Sequence, residues 1–222
     1  MADLPAGQDT KQKIYDTARR LFYERGFTKT TLSVISQEAK INSAMVAYYF
    51  ENKTNLALAV YSDYMQETKE LVSRILPSVS SQSDLMFQTA LEVRIHTRNM
   101  QSSYQLGRFL YELNQTSFYL QRESITTEFF ERLCAAYDLK LSYDQVSGIT
   151  ITNYAIMASL NAARYEGVLD LTNADVVRVI VTHYAHSLGF PDEEIEELLN
   201  FSLEAFRKIS IRVGSDFRLL SD

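Results

Sequence analysis

Apolar positions recur along this chain at helical spacing. In "TKQKIYDTARRLFYERGF" Ile14, Ala18, Leu21 and Phe22 lie on one helical face that Gly26 can end, which predicts a first helix over residues 10–25. Leu32, Ile35 and Ala39 make a second short face over residues 32–39 that Thr31 can cap. Asn42 can cap a third helix over residues 43–50. A longer helix, residues 54–76, carries Leu56, Val60, Tyr64, Leu71 and Ile75 as its stripe until Pro77 stops it and a linker, "PSVSSQSD", follows. The pattern then predicts helices over residues 84–99, 103–115, 118–137, 143–166, 173–188 and 191–213. Pro191 suits a first helical position, and Asp192, Glu193 and Glu194 complement the dipole there. The fold class is all-α: a three-helix head, residues 10–55, with the order of a helix-turn-helix at 31–50, joined by a long fourth helix to a larger helical unit, residues 56–222.

Composition agrees with long helices, since three prolines and seven glycines punctuate 222 residues that are 46% hydrophobic. No run approaches the roughly 18 apolar residues of a membrane span, and "MADLPAGQDTKQK" has no apolar signal core, so a soluble, cytoplasmic protein is expected. The lone Cys134 cannot form an internal disulfide and sits in the apolar context "FFERLCAAY". A net charge of −6 argues against nucleic acid only until its distribution is read. Residues 10–55 hold eight basic against four acidic side chains, net +4, whereas the chain from Leu56 onward holds 14 against 22, net −8. A basic head on an acidic body points to a polyanion as the head's partner.

The third helix, "SAMVAYYF", has Val46 and Phe50 on one side and Ala44, Ala47 and Tyr48 on the other. Small outward residues let a helix approach the floor of a DNA major groove, where Ser43 can meet a base edge and Ala44 or Met45 a thymine methyl. Tyr48 and Lys53 sit where a hydroxyl and an ammonium can reach phosphates.

The stretch from Ile14 to Tyr61 resembles the tetracycline-repressor-like (TetR) family of transcriptional regulators. The resemblance rests on Ile14, Ala18, Leu21–Phe22, Gly26–Phe27, Thr30–Thr31, Ile35, Ala39, Ile41, Val46, Tyr48–Tyr49–Phe50, Lys53 and Leu56. It implies an all-helical homodimer with a DNA-reading head, a pseudo-palindromic operator, and a C-terminal effector-binding and dimerisation domain. The DNA-binding residues expected from it are Thr31, Ser43, Ala44, Met45, Ala47, Tyr48, Tyr49 and Lys53. Two positions depart from the family: Lys40 stands where glycine is common in the turn, and Ala47 where tyrosine is common.

The body is rich in aromatic and methionine residues, among them Tyr119, Phe129 and Phe130. Most such residues build core, but Tyr61, Tyr64, Met65, His96, Tyr104 and Tyr111 are candidate lining for an unknown, largely apolar or aromatic effector, with Glu92 as a further polar group. His183 and His186 lie three apart on a predicted helix without a carboxylate or cysteine at ligand spacing, so no metal or other cofactor is expected. No phosphate-cradling loop, zinc-protease helix or nucleophile elbow occurs, which argues against an enzyme. Two readings remain: a DNA-binding regulator, most simply a repressor released by its ligand, and a helical adaptor controlled by protein partners.

Overall fold

The structure is a computed structural model that describes residues 5–76, 85–116, 118 and 131–221. The expected linker at 77–84, most of the helix expected over 118–137, and Tyr119, Phe129 and Phe130 lie outside the described residues. Nine helices are described in full: α1 (Pro5–Arg25), α2 (Leu32–Ala39), α3 (Ser43–Phe50), α4 (Lys53–Ile75), α5 (Leu85–Ser102), α6 (Tyr104–Asn114), α7 (Tyr143–Tyr165), α8 (Asn173–Ser187) and α9 (Asp192–Phe206). Residues 131–136 are also helical.

Capping side chains set many of these boundaries. Thr31 Oγ1 accepts the Val34 N–H at 3.2 Å, and Asn42 Oδ1 accepts the Ala44 N–H at 2.9 Å, starting α2 and α3 where the sequence predicts. Ser142 and Thr172 form reciprocal capping boxes with Gln145 and Asp175 at the starts of α7 and α8. Lys40 ends α2 in the left-handed region, φ 54° and ψ 46°, the conformation that glycine would supply without strain.

One hydrophobic cluster runs from the head into the body. Ile14, Leu21 and Phe22 of α1, Ile35 of α2 and Val46 and Phe50 of α3 join Leu56, Val60 and Tyr61 of α4 and Leu106, Phe109 and Leu113 of α6. A second cluster holds Met86 and Ala90 of α5 against Val177, Val181 and Tyr184 of α8 and Ile195, Leu198 and Leu199 of α9. Helix α5 is the hub, packing on α4, α6, α8, α9 and the strand Ile211–Val213. Helix α7 is the exception, with only Val146 and Asn161 buried along 23 residues while Ile151 and Tyr143 remain exposed.

The sequence pattern errs at the C-terminus. The helix expected over 191–213 ends at Phe206, with Pro191 as its cap, and Ile211–Val213 is a strand paired antiparallel to Leu219–Ser221. The reason is visible in "KISIRVGSD": Ile209, Ile211 and Val213 alternate with polar residues at period two, and Gly214 opens the turn. At the other end α1 begins at Pro5, a turn earlier than expected.

Candidate nucleic-acid interface and the junction behind it

Helix α3 buries Val46 and Phe50 against the head core and leaves Ser43, Ala44, Ala47 and Tyr48 exposed, Tyr48 to 74%. Thr31, at the start of α2, is exposed as well. Met45 is partly buried against the head core, and so is Tyr49, whose hydroxyl lies near Gly7 of α1 and whose ring meets that of Tyr48 edge-on at 5.0 Å. The outward face is thus narrower than the segment Ser43–Tyr49. It is a strip of small side chains ending in one projecting phenol.

The charge of the head is also redistributed. Arg19 is buried at 4% exposure, and Arg20 and Arg25 share Glu38, each at 3.2 Å, with Arg20 also pairing with Glu24. Their hydrogen bonds hold the Glu38 carboxyl below the usual carboxylate range. Outside these ion pairs the exposed cations among the described residues of the head are Lys13, Lys29, Lys40 and Lys11, whose ammonium stands 5.9 Å from the centre of the Phe50 ring. Lys53, at the start of α4, folds back: its Nζ donates to the Phe27 carbonyl at 3.0 Å and stands 4.0 Å from the centre of the Phe27 ring. Burial lowers the basicity of its ammonium, and the Glu112 carboxylate opposes that shift.

Behind the head, α6 grips the end of α1. Arg108 Nη2 donates to the carbonyls of Tyr23 and Glu24 at 3.0 and 3.1 Å, covering acceptors that a helix C-terminus leaves open. Glu112 accepts the Thr28 N–H at 2.6 Å. Gly26 lies between them at φ 82°, and a Cβ there would fall 2.8 Å from Glu112 Oε2 and 2.9 Å from Arg108 Nε. The sequence reading missed Arg108 and Glu112, since nothing in "YQLGRFLYELN" alone says what faces them. The only local signal is a glycine at the helix end that must tolerate both positive φ and close approach.

The six residues read as pocket lining separate into two places. Tyr61 and Tyr64 of α4 are buried and stacked at 6.4 Å, with His96 at 6.1 and 5.7 Å, and Asn99 Nδ2 donates to the Tyr64 hydroxyl at 3.2 Å. Met65 packs partly buried against the same cluster. The space left there, lined also by Met100, Phe118, Met157 and Asn161, is about 10 Å³, scarcely room for one water molecule. Tyr104 and Tyr111 instead stand on the outer side of α6 and stack on Tyr165 of α7 at 6.2 and 4.6 Å. A larger cleft of about 280 Å³ opens beside them, lined by Met100, Tyr104, Gly107, Asn161, Arg164 and Leu169. Met100 and Asn161 border both spaces. His186 pairs with Asp192 at 2.8 Å, and among the described residues no three metal-ligating side chains converge.

A capped helix-turn-helix with an exposed strip of small side chains on its second helix, carried on a largely helical body, is the architecture of a nucleic-acid-binding head. Residues 14–60 match the family model described as "Bacterial regulatory proteins, tetR family". The match lies on the head, which is thereby similar to the heads of that family. The chain is similar to the HTH-type transcriptional regulator YttP of Bacillus subtilis (strain 168), 28% identical over 120 residues that make up 53% of this chain and 56% of that one. It is also similar to the HTH-type transcriptional regulator TtgR of Pseudomonas putida, 34% identical over 67 residues, 30% of this chain and 31% of that one. The alignments thus span about half, or less, of these curated relatives. Among solved structures the fold is similar to that of RolR in complex with resorcinol, with TM-score 0.54, 15% identity and coverage of 87% of this chain and 94% of that one. It is similar too to a TetR-family transcriptional regulator from Syntrophomonas wolfei str. Goettingen, with TM-score 0.52, 15% identity and coverage of 83% and 98%. Among the described residues no helix is long and apolar enough to cross a membrane.

Proposed function

We propose that this chain is a sequence-specific, DNA-binding transcriptional regulator that acts as a homodimer, a repressor released from its operator by a small molecule. The observation that carries the reading is the outward strip of α3: Ser43, Ala44 and Ala47 exposed on a helix whose opposite side is locked into the head core. That strip fits the floor of a major groove, with Ser43 at a base edge and Ala44 toward a thymine methyl, while Met45, read from sequence as a base contact, packs partly against the head core. Thr31, Tyr48 and the solvent lysines face the phosphates, and Lys53 holds the turn at Phe27 from which the head is built. The poorly covered α7, with α8 beside it, offers a surface for a second copy. A two-fold pair then sets two heads on successive major grooves about 34–36 Å apart, on a pseudo-palindromic operator.

The effector reading belongs to the cleft between α5, α6 and α7 rather than to the filled space at Tyr61 and Tyr64. Its lining mixes Met100, Leu169 and Tyr104 with Arg164 and Asn161, which suits a small aromatic molecule carrying polar substituents. Helix α6 runs from this cleft at Tyr104 and Gly107 to the turn behind α1 at Arg108 and Glu112. A ligand that binds the shifted position of α6 more tightly therefore moves the head, whereas equal affinity for both positions moves nothing.

The test is binding of the purified full chain to fragments of its own genomic DNA across a salt series. A selected pseudo-palindrome, bound with an affinity that falls steeply with salt, supports the reading. Salt-insensitive binding, or none at low salt, overturns it.

A further inference from the structure

The C-terminal hairpin leaves the body and ends in the junction between head and body. At its start Arg98 of α5 donates to the Ile211 carbonyl. At its turn Phe217 is fully buried, its ring centre 4.9 Å from that of Phe109 on α6 and 5.3 Å from that of Tyr23 on α1. Beside it the buried Arg19 of α1 donates to the Asp216 carbonyl at 2.5 Å and to Glu67 Oε1 of α4 at 3.2 Å. Glu67 Oε2 in turn accepts the Leu219 N–H at 2.8 Å. One carboxylate on α4 therefore holds both α1 and the hairpin. Phe217 sits at φ 66°, a left-handed conformation that a bulky residue keeps only where its surroundings impose it.

We infer that residues 211–221 are a strap that ties α1 to α4 and α6, so that the head's position on the body is set by the C-terminal segment as well as by the continuous α4. Two helices meet at Phe217, α1 through Tyr23 and α6 through Phe109, and a third, α4, holds the hairpin beside it through Glu67: α1 belongs to the head, α4 leads from head to body, and α6 is the body helix that grips the end of α1. A movement of α6 relative to α1 must open the seat of Phe217, and a movement of α1 relative to α4 must stretch the Arg19–Glu67–Leu219 link. The strap limits how far and how readily the head swings, whatever the head binds. Here Arg19 is withdrawn from the basic face of the head to hold the hairpin turn.

The test is hydrogen–deuterium exchange of the full chain, with no DNA and no ligand, so it stands apart from the function proposed above. In Phe217→Ala the amides of α1 from Ile14 to Arg25 exchange at least tenfold faster than in the parent, while those of α8 and α9 keep their parent rates. Faster exchange in residues 211–221 with α1 unchanged overturns the inference, because the hairpin would then be a passenger on the junction. If Phe217→Ala loosens α8 and α9 as well, the milder Phe217→Leu decides: about threefold faster exchange in α1 alone supports the strap, and parent rates in α1 overturn it.

Discussion

The backbone N–H of Thr28 donates to the Glu112 carboxylate at 2.6 Å, joining the turn after α1 to a helix 84 residues further along the chain. Gly26 makes that approach possible, for it holds φ 82° and its missing side chain is the space that Glu112 and Arg108 occupy. Gly26→Ala is therefore expected to destabilise the protein by about 2 kcal/mol, from left-handed backbone strain and overpacking together. Denaturant unfolding checks this. The double variant Gly26→Ala/Glu112→Ala should cost less than the sum of the two single changes, because removing the carboxylate frees the space. Strict additivity would refute the steric account.

Tyr48 and Lys53 should behave differently despite their similar reading from sequence. Tyr48 projects into solvent at 74% exposure, so Tyr48→Ala should leave stability within about 0.5 kcal/mol while weakening DNA binding on every sequence alike. Lys53→Ala loses a hydrogen bond to the Phe27 carbonyl and a stacked ring, and should lower stability by about 1–2 kcal/mol as well as weakening DNA binding. Thermal unfolding and fluorescence anisotropy with labelled DNA separate the two. Equal loss of stability in both variants would contradict the assignment.

At Lys40 the left-handed backbone is a small, removable strain. Lys40→Gly should raise stability by about 0.5–1 kcal/mol, the relief of the side-chain clash less the added freedom of glycine in the unfolded chain. The same change removes a solvent cation beside the reading helix, so the salt slope of DNA binding should become shallower. A destabilised Lys40→Gly would show that the lysine side chain has a packing role.

Burial pushes the Glu92 carboxyl up to about 7 from an ordinary 4.5, and Lys69 only partly opposes this. A carboxyl whose folded-state value is raised binds more protons folded than unfolded across that interval. The contribution of Glu92 to stability is therefore fully present below about pH 4.5 and is lost as pH rises through about 7. Glu92→Gln, which mimics the protonated form, should match the parent at low pH and exceed it at neutral pH, by up to roughly 3 kcal/mol. Unfolding free energies measured from pH 4 to pH 8 check the sign; a parent that gains on Glu92→Gln with rising pH would reverse the argument.

Much of the helical framework was legible because its signals are local. The apolar spacing of Ile14, Ala18, Leu21 and Phe22, the caps Thr31 and Asn42, and the inward pair Val46 and Phe50 each act within a few residues of chain, so they read the same in the sequence as in the fold. The small outward strip of α3 followed by complement: what Val46 and Phe50 bury, Ser43, Ala44 and Ala47 must leave bare. The C-terminal hairpin had a local signal as well, the alternation of Ile209, Ile211 and Val213, but it stood next to a strong helical pattern that masked it.

What only the tertiary structure decided is which side chains meet across long stretches of chain. Arg19 counts in the sequence as one cation of a basic head, and the fold commits it to the Asp216 carbonyl, 197 residues away. Tyr61, Tyr64, Tyr104 and Tyr111 share an aromatic character and a helical register, yet the first two fill the core beside His96 while the last two stack on Tyr165 beside the open cleft. Helical periodicity fixes the face on which a residue lies. Which partner covers that face depends on how the helices pack, and that is settled by shape and hydrogen bonding over the whole molecule.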